Sequence, residues 1–142
     1  MYGYHGRALI IDLTSQKTSC VSLEPQVLRH FLGGIGLGTY LLYRFCPPGV
    51  QPLDPANPLI FVGSPLVGTR LTTSSKFAII TKSPLTGFIG DSLSSSFMAT
   101  ELKGLGYDAL VLIGQCKRPT LLFLEGSNVH FLNASHLLGL ST

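Results

Sequence analysis

Apolar and polar positions alternate near both ends of the chain, and a helical spacing interrupts that alternation between them. Residues 7–13 (RALIIDL) and 17–23 (KTSCVSL) read as two strands joined by Thr14, Ser15 and Gln16, a hairpin. Glu24 and Pro25 then open a stretch with Val27, Leu28, Phe31 and Leu32 at helical spacing, proline suiting a first helical turn. The glycines at 33, 34, 36 and 38 split the pattern. A second helix is predicted over 37–45, stopped by Cys46, Pro47, Pro48 and Gly49. A polar, proline-rich loop leads to a short buried strand at 58–62 (PLIFV), followed by strands at 76–81 (KFAIIT) and 87–91. Residues 94–104 are predicted helical on Met98, Glu101, Leu102 and Lys103. Strands at 108–113, 120–125 and 128–132 follow, the last two linked through Gly126 and Ser127 as a tight hairpin. Asn133 or Ser135 is placed to cap a further helix from His136, Leu137 and Leu138. The sequence stops at Thr142 before that helix offsets its ordering cost, so the expectation is a domain truncated or split there.

Composition narrows the class. Charged residues make up 12% of the 142 positions, about half the ~25% usual in soluble domains, so much of the surface is expected to meet other protein. The run at 31–43 is too short and too glycine-rich to span a membrane, and the N-terminus lacks a basic and then apolar leader. These features lead to the expectation of a soluble, cytoplasmic chain. Cys20, Cys46 and Cys116 have neither disulfide-framework nor C-x-x-C spacing and are expected to be reduced, partly buried core residues. A net charge of +3 with no basic run does not point to nucleic acid. Its distribution is more informative: residues 55–90 contain no acid, while Arg70, Lys76 and Lys82 fall there. That stretch suits a phosphate or another anion.

Motif by motif, catalysis within this chain finds little support. No three glycines at 33–38 satisfy G-x-G-x-x-G, and the run follows a helical pattern, so a sharp turn with close backbone packing is the better reading. GSPLVGTR at 63–70 follows a strand and nearly spells a phosphate loop, but threonine stands where the lysine belongs. What remains is a glycine-bounded loop whose amides are placed to face an anion near Arg70. His5, His30, His130 and His136 lack metal spacing. Asp91 and Glu101 are the carboxylates nearest the basic stretch and equally suit helix flanks. The serines at 92, 94, 95 and 96 have no base beside them.

Several segments taken in order carry a family likeness: MYG at 1–3 with GR at 6–7, FLGG at 31–34 with GL at 36–37, and GSPL at 63–66 with GT at 68–69. TKSPLTGF at 81–88 and ELK at 101–103 with GYDA at 106–109 complete the set. Together they resemble the N-terminal domain of the aldehyde ferredoxin oxidoreductases over essentially the whole chain, 1–142. The resemblance implies an α+β, strand-rich domain of two β-sheets with a few helices. It further implies that the domain cradles a bis-pterin (molybdopterin-type) cofactor holding one tungsten. Such enzymes oxidise aldehydes to carboxylic acids and pass electrons to ferredoxin through a 4Fe-4S cluster. Family members carry the cluster cysteines and the acid-base groups in later domains. This chain is therefore expected to ligate no cluster or metal, to hold no catalytic residue, and to need the remaining domains or a downstream subunit. Self-association is a further expected mode of covering its surface.

By the same resemblance the cofactor-contacting positions are Lys76, Leu93, Ser95 and Ser96, where family members usually carry arginine, asparagine and a glycine pair. Lysine keeps the charge but loses the planar fork of arginine. Leucine removes a polar contact, and the serines add hydroxyls where the cofactor meets backbone. Two functions follow from these departures: the cofactor-binding N-terminal part of such an enzyme, or a degenerate, non-catalytic paralogue that keeps the fold as an interaction module.

Overall fold

A computed structural model describes residues 3–141 of the chain. Met1 and Tyr2, part of the first family segment, and Thr142 lie outside the described residues. The fold is α+β, with a six-stranded mixed sheet and a separate two-stranded sheet, as expected.

The N-terminal hairpin pairs β1 (Arg7–Asp12) with β2 (Lys17–Ser22). Its turn is held by Asp12, which accepts hydrogen bonds from the amides of Thr14 and Ser15 and from the Ser15 hydroxyl. Those bonds, the Ser15 hydroxyl first, hold the Asp12 carboxyl below its ordinary range. Two helices follow, α1 (Pro25–Phe31) and α2 (Gly34–Phe45), then strands β3 (Leu59–Gly63), β4 (Lys76–Lys82) and β5 (Ile89–Ser95). Helix α3 (Phe97–Gly104), strand β6 (Ala109–Ile113) and the hairpin of β7 (Thr120–Glu125) and β8 (Asn128–Asn133) complete the chain, with a short 3-10 turn at Ser135–Leu137.

The large sheet runs β2-β1-β6-β3-β4-β5, and β1 lies parallel to β6 with Ala8 opposite Ala109. Strands buried on both faces need apolar residues on both, and ALIID and ALVLI supply them. Ala8, Ile10, Ile60, Val62, Ala78, Ile80, Ala109 and Val111 face a core closed by Leu28 of α1 and by Leu37, Leu41 and Leu42 of α2. The opposite face carries Leu9, Ile11 and Leu110 against Leu102 of α3 and the inner side of the β7–β8 hairpin, Leu122, Leu124, Val129 and Phe131. Helix α2 sits close on the sheet because Gly38 lacks a side chain: a Cβ there would lie 2.3 Å from Ile80 Cγ1. The close packing agrees with the sequence reading, but the turn between the helices is only Leu32 and Gly33: α2 starts at Gly34 rather than near residue 37, so Gly34, Gly36 and Gly38 lie within the helix.

Three further expectations are corrected. Residues 94 and 95 belong to β5, which extends beyond the predicted 87–91, and α3 starts only at Phe97. Backbone pairing with β4 recruits these serines, whose own pattern favours no element. The predicted C-terminal helix is a single 3-10 turn, its start bracketed by Asn133, which accepts from the Ser135 amide and hydroxyl. Cys20 is exposed on the edge strand β2 rather than partly buried.

Candidate functional site

Register decides which side chains meet. Ala78 and Ile80 point into the core beneath α2, so Lys76 and Lys82, two positions away along β4, lie on that same face. The β4–β5 ladder sets Ser95 opposite Lys76, Leu93 opposite Ala78 and Asp91 opposite Ile80. Lys76 on β4 thus shares one face with Leu93 and Ser95 on β5 at the open edge of the sheet. Helix α2 covers the β3–β4 part of this face and leaves β5 bare. Lys76, Asp91, Leu93 and Ser95 are exposed, Leu93 at 63%.

The electrostatics favour an anion at one end. Asp91 stands four positions along the strand from the Lys76–Ser95 pair, roughly 13 Å at ordinary strand rise, and diagonal to Lys82. The Lys76 side chain makes no hydrogen bond or ion pair among the described residues, and neither does that of Arg70, exposed on the loop before β4. Lys82 is committed elsewhere: its ammonium donates to the Val50 carbonyl at 2.7 Å, and Asn57 bonds its backbone. Only two of the three cations in the acid-free stretch are therefore available to a ligand.

Ser96 stands apart from the other three. Its hydroxyl accepts from the Met98 amide at 3.1 Å and so caps α3, while its carbonyl accepts from the Ser75 hydroxyl at 2.7 Å. This role went unread in the sequence because the serine run hid the helix start. Ser95 is the hydroxyl that faces outward beside Lys76.

Other candidates do not assemble. In the 63–70 loop the amides of Leu66, Val67 and Thr69 go to Ser64 and Leu66, and the Leu71 amide just beyond goes to the Thr69 hydroxyl, so these donors do not face an anion. Asp91 lies on the α2 face and Glu101 on α3 across the sheet, so they form no pair. Among the described residues no three of histidine, cysteine, aspartate and glutamate converge on a metal position, and no helix is long and apolar enough to cross a membrane. At the other end of the same β4–β5 face, a groove of about 780 Å3 opens between the end of α2 and β5, lined by Leu42, Tyr43, Phe45, Lys82, Phe88 and Ile89. A cation, a hydroxyl and an apolar flank thus lie along one exposed face, a combination that suits a planar ligand bearing phosphate.

Residues 8–142 match the family model for the aldehyde ferredoxin oxidoreductase N-terminal domain. A tungsten-containing aldehyde ferredoxin oxidoreductase from Pyrococcus furiosus is 36% identical over 139 residues, 98% of this chain and 23% of that protein. The WOR-like subunit of an aliphatic sulfonate oxidoreductase from the same organism is 36% identical over 99% of this chain and 23% of its own length. Among solved structures, the active site complex BamBC of benzoyl coenzyme A reductase, in complex with 1,5-dienoyl-CoA, matches with a TM-score of 0.91 and 34% identity. That match covers 97% of this chain and 21% of the larger one. The chain thus spans less than a quarter of the length of each of these relatives.

Proposed function

The chain belongs to the aldehyde ferredoxin oxidoreductase N-terminal domain family, and from that premise we propose that it is the cofactor-cradling N-terminal part of a tungsten-pterin oxidoreductase. One observation carries the reading: Lys76, Leu93 and Ser95 gather on one β4–β5 face and are exposed there among the described residues. The residues fit the group. The Lys76 ammonium holds a phosphate of the pterin as a point charge. The Ser95 hydroxyl gives and accepts a hydrogen bond beside it, and Leu93 offers an apolar contact. Ser96 acts through the α3 cap rather than as a direct contact.

When bound, the tungsten-pterin group supplies the redox chemistry that takes an aldehyde to a carboxylic acid. This chain binds and orients it. Other domains or a downstream subunit supply the acid-base groups and the 4Fe-4S cluster through which electrons reach ferredoxin. Because the matched proteins include an aliphatic sulfonate oxidoreductase subunit and a benzoyl coenzyme A reductase complex, substrate choice is assigned to that remaining polypeptide.

The test is the tungsten and pterin content of the chain assembled with the rest of its enzyme. Lys76→Ala removes a charge-assisted hydrogen bond of about 1.5 to 3 kcal/mol and lowers the content by roughly ten- to a hundredfold under limiting cofactor. Leu93→Asn restores a polar partner and raises it. Equal content in wild type and both variants contradicts the reading. Leu93, an exposed leucine where the family resemblance calls for asparagine, favours the second reading of a non-catalytic interaction module. No cofactor in any version decides for that one.

A further inference from the structure

Lys76 is the first residue of β4, and its pairing with Ser95 is the last rung of the ladder at the sheet's open edge. A terminal rung on an edge strand frays readily, since nothing beyond it holds the two backbones together. The approach gives only local support: the Lys76 amide donates to the Ser74 carbonyl at 2.7 Å, but residues 69–73 are exposed, and Thr73 takes a left-handed φ of 61°. An ammonium on a four-carbon stem binds a phosphate well only when its root is fixed.

One side chain extends the ladder past its end. The Ser75 hydroxyl donates to the Ser96 carbonyl at 2.7 Å, and its oxygen lies 3.0 Å from the Thr100 hydroxyl. Ser75 has a single hydroxyl proton, so with that proton on Ser96 it must accept from Thr100. The relay runs from Thr100 in α3, through Ser75 ahead of β4, to Ser96 after β5. Ser96 in turn caps α3 through its hydroxyl. Three elements are tied at the point where Lys76 and Ser95 emerge.

We infer that Ser75 is a positioning residue that fixes the root of Lys76 for the anionic ligand, with Thr100 orienting it. This rests on the cofactor reading above. Thr100→Val keeps the shape and removes the donor, and Ser75→Thr keeps the hydroxyl, so the relay is separable from bulk.

The experiment uses the assembled enzyme and compares wild type, S75A, S75T, K76A and S75A/K76A for tungsten and pterin retained after dialysis. Amide hydrogen exchange at Lys76 and Ser95 is followed in parallel. S75A is expected to lower the retained cofactor about three- to tenfold and to speed exchange at both amides, while S75T restores both. In the K76A background, S75A is expected to add no further loss. Loss in S75A that persists at full size in the K76A background overturns the inference, because Ser75 then does not act through Lys76. Unchanged retention and exchange in S75A overturn it as well. If S75A does not fold, T100V supplies the same comparison. If K76A itself retains full cofactor, the site reading fails first and this inference falls with it. If K76A loses cofactor and S75A does not, the inference alone falls.

Discussion

Asp108 is 3% exposed and brings a carboxylate into the interior, which is tolerable only because its oxygens are satisfied. It accepts from the amides of His5 and Gly6 and from the ammonium of the buried Lys103, which lies under the Tyr4 ring. Burial, and then the Asp108 charge, push the Tyr4 phenol above its ordinary value, so it remains a neutral partner. The clasp fastens the irregular segment leading into β1 to the end of α3 and explains why ELK and GYDA belong to one set of family segments. Asp108→Ala leaves Lys103 buried and unpaired and is predicted to cost about 3 to 5 kcal/mol, read from the midpoint of chemical denaturation. A loss below about 1 kcal/mol, as at a surface pair, contradicts this account. From sequence the two residues were visible only as helix and strand members, because a pair made through a loop has no periodicity to announce it.

At the scale of elements, legibility followed how far each depended on local pattern. The β1–β2 hairpin, α1, α2 and the β7–β8 hairpin read directly, because alternation, an opening proline and turn residues are local signals. The extent of β5 did not, because IGDSLSS takes its strand from pairing with β4, seven rungs set by register alone. The candidate site shares that fate. Lys76, Leu93 and Ser95 were named through family resemblance, but their common face exists only once the register is fixed. The parallel β1–β6 pair, joining residues a hundred positions apart, was illegible for the same reason. Where the sequence was explicit, at the glycine run, the packing can be tested. Gly38→Ala drives a methyl against Ile80 and is predicted to destabilise by about 1 to 3 kcal/mol. Combined with Ile80→Ala, it should cost distinctly less than the sum of the two single changes. Strict additivity in a denaturation cycle would show that α2 does not rest on Ile80.

The whole molecule leaves apolar surface uncovered. Tyr43, Leu85, Phe88 and Phe97 are each at least 78% exposed, and the outer side of the β7–β8 hairpin presents Leu121, Phe123 and Leu132. Such exposure agrees with the low charge content and with the proposal that other polypeptide surrounds this domain. The central claim is that the bare β4–β5 face, and no other edge, is where the cofactor rests. The direct measurement is amide hydrogen exchange of the assembled enzyme with and without its tungsten-pterin group. The account predicts slowed exchange at residues 91–95 and at Lys76 on loading, with the opposite edge strand, Lys17–Ser22, unchanged. Protection confined to that edge or to the β7–β8 hairpin, with residues 91–95 exchanging alike in both states, contradicts it.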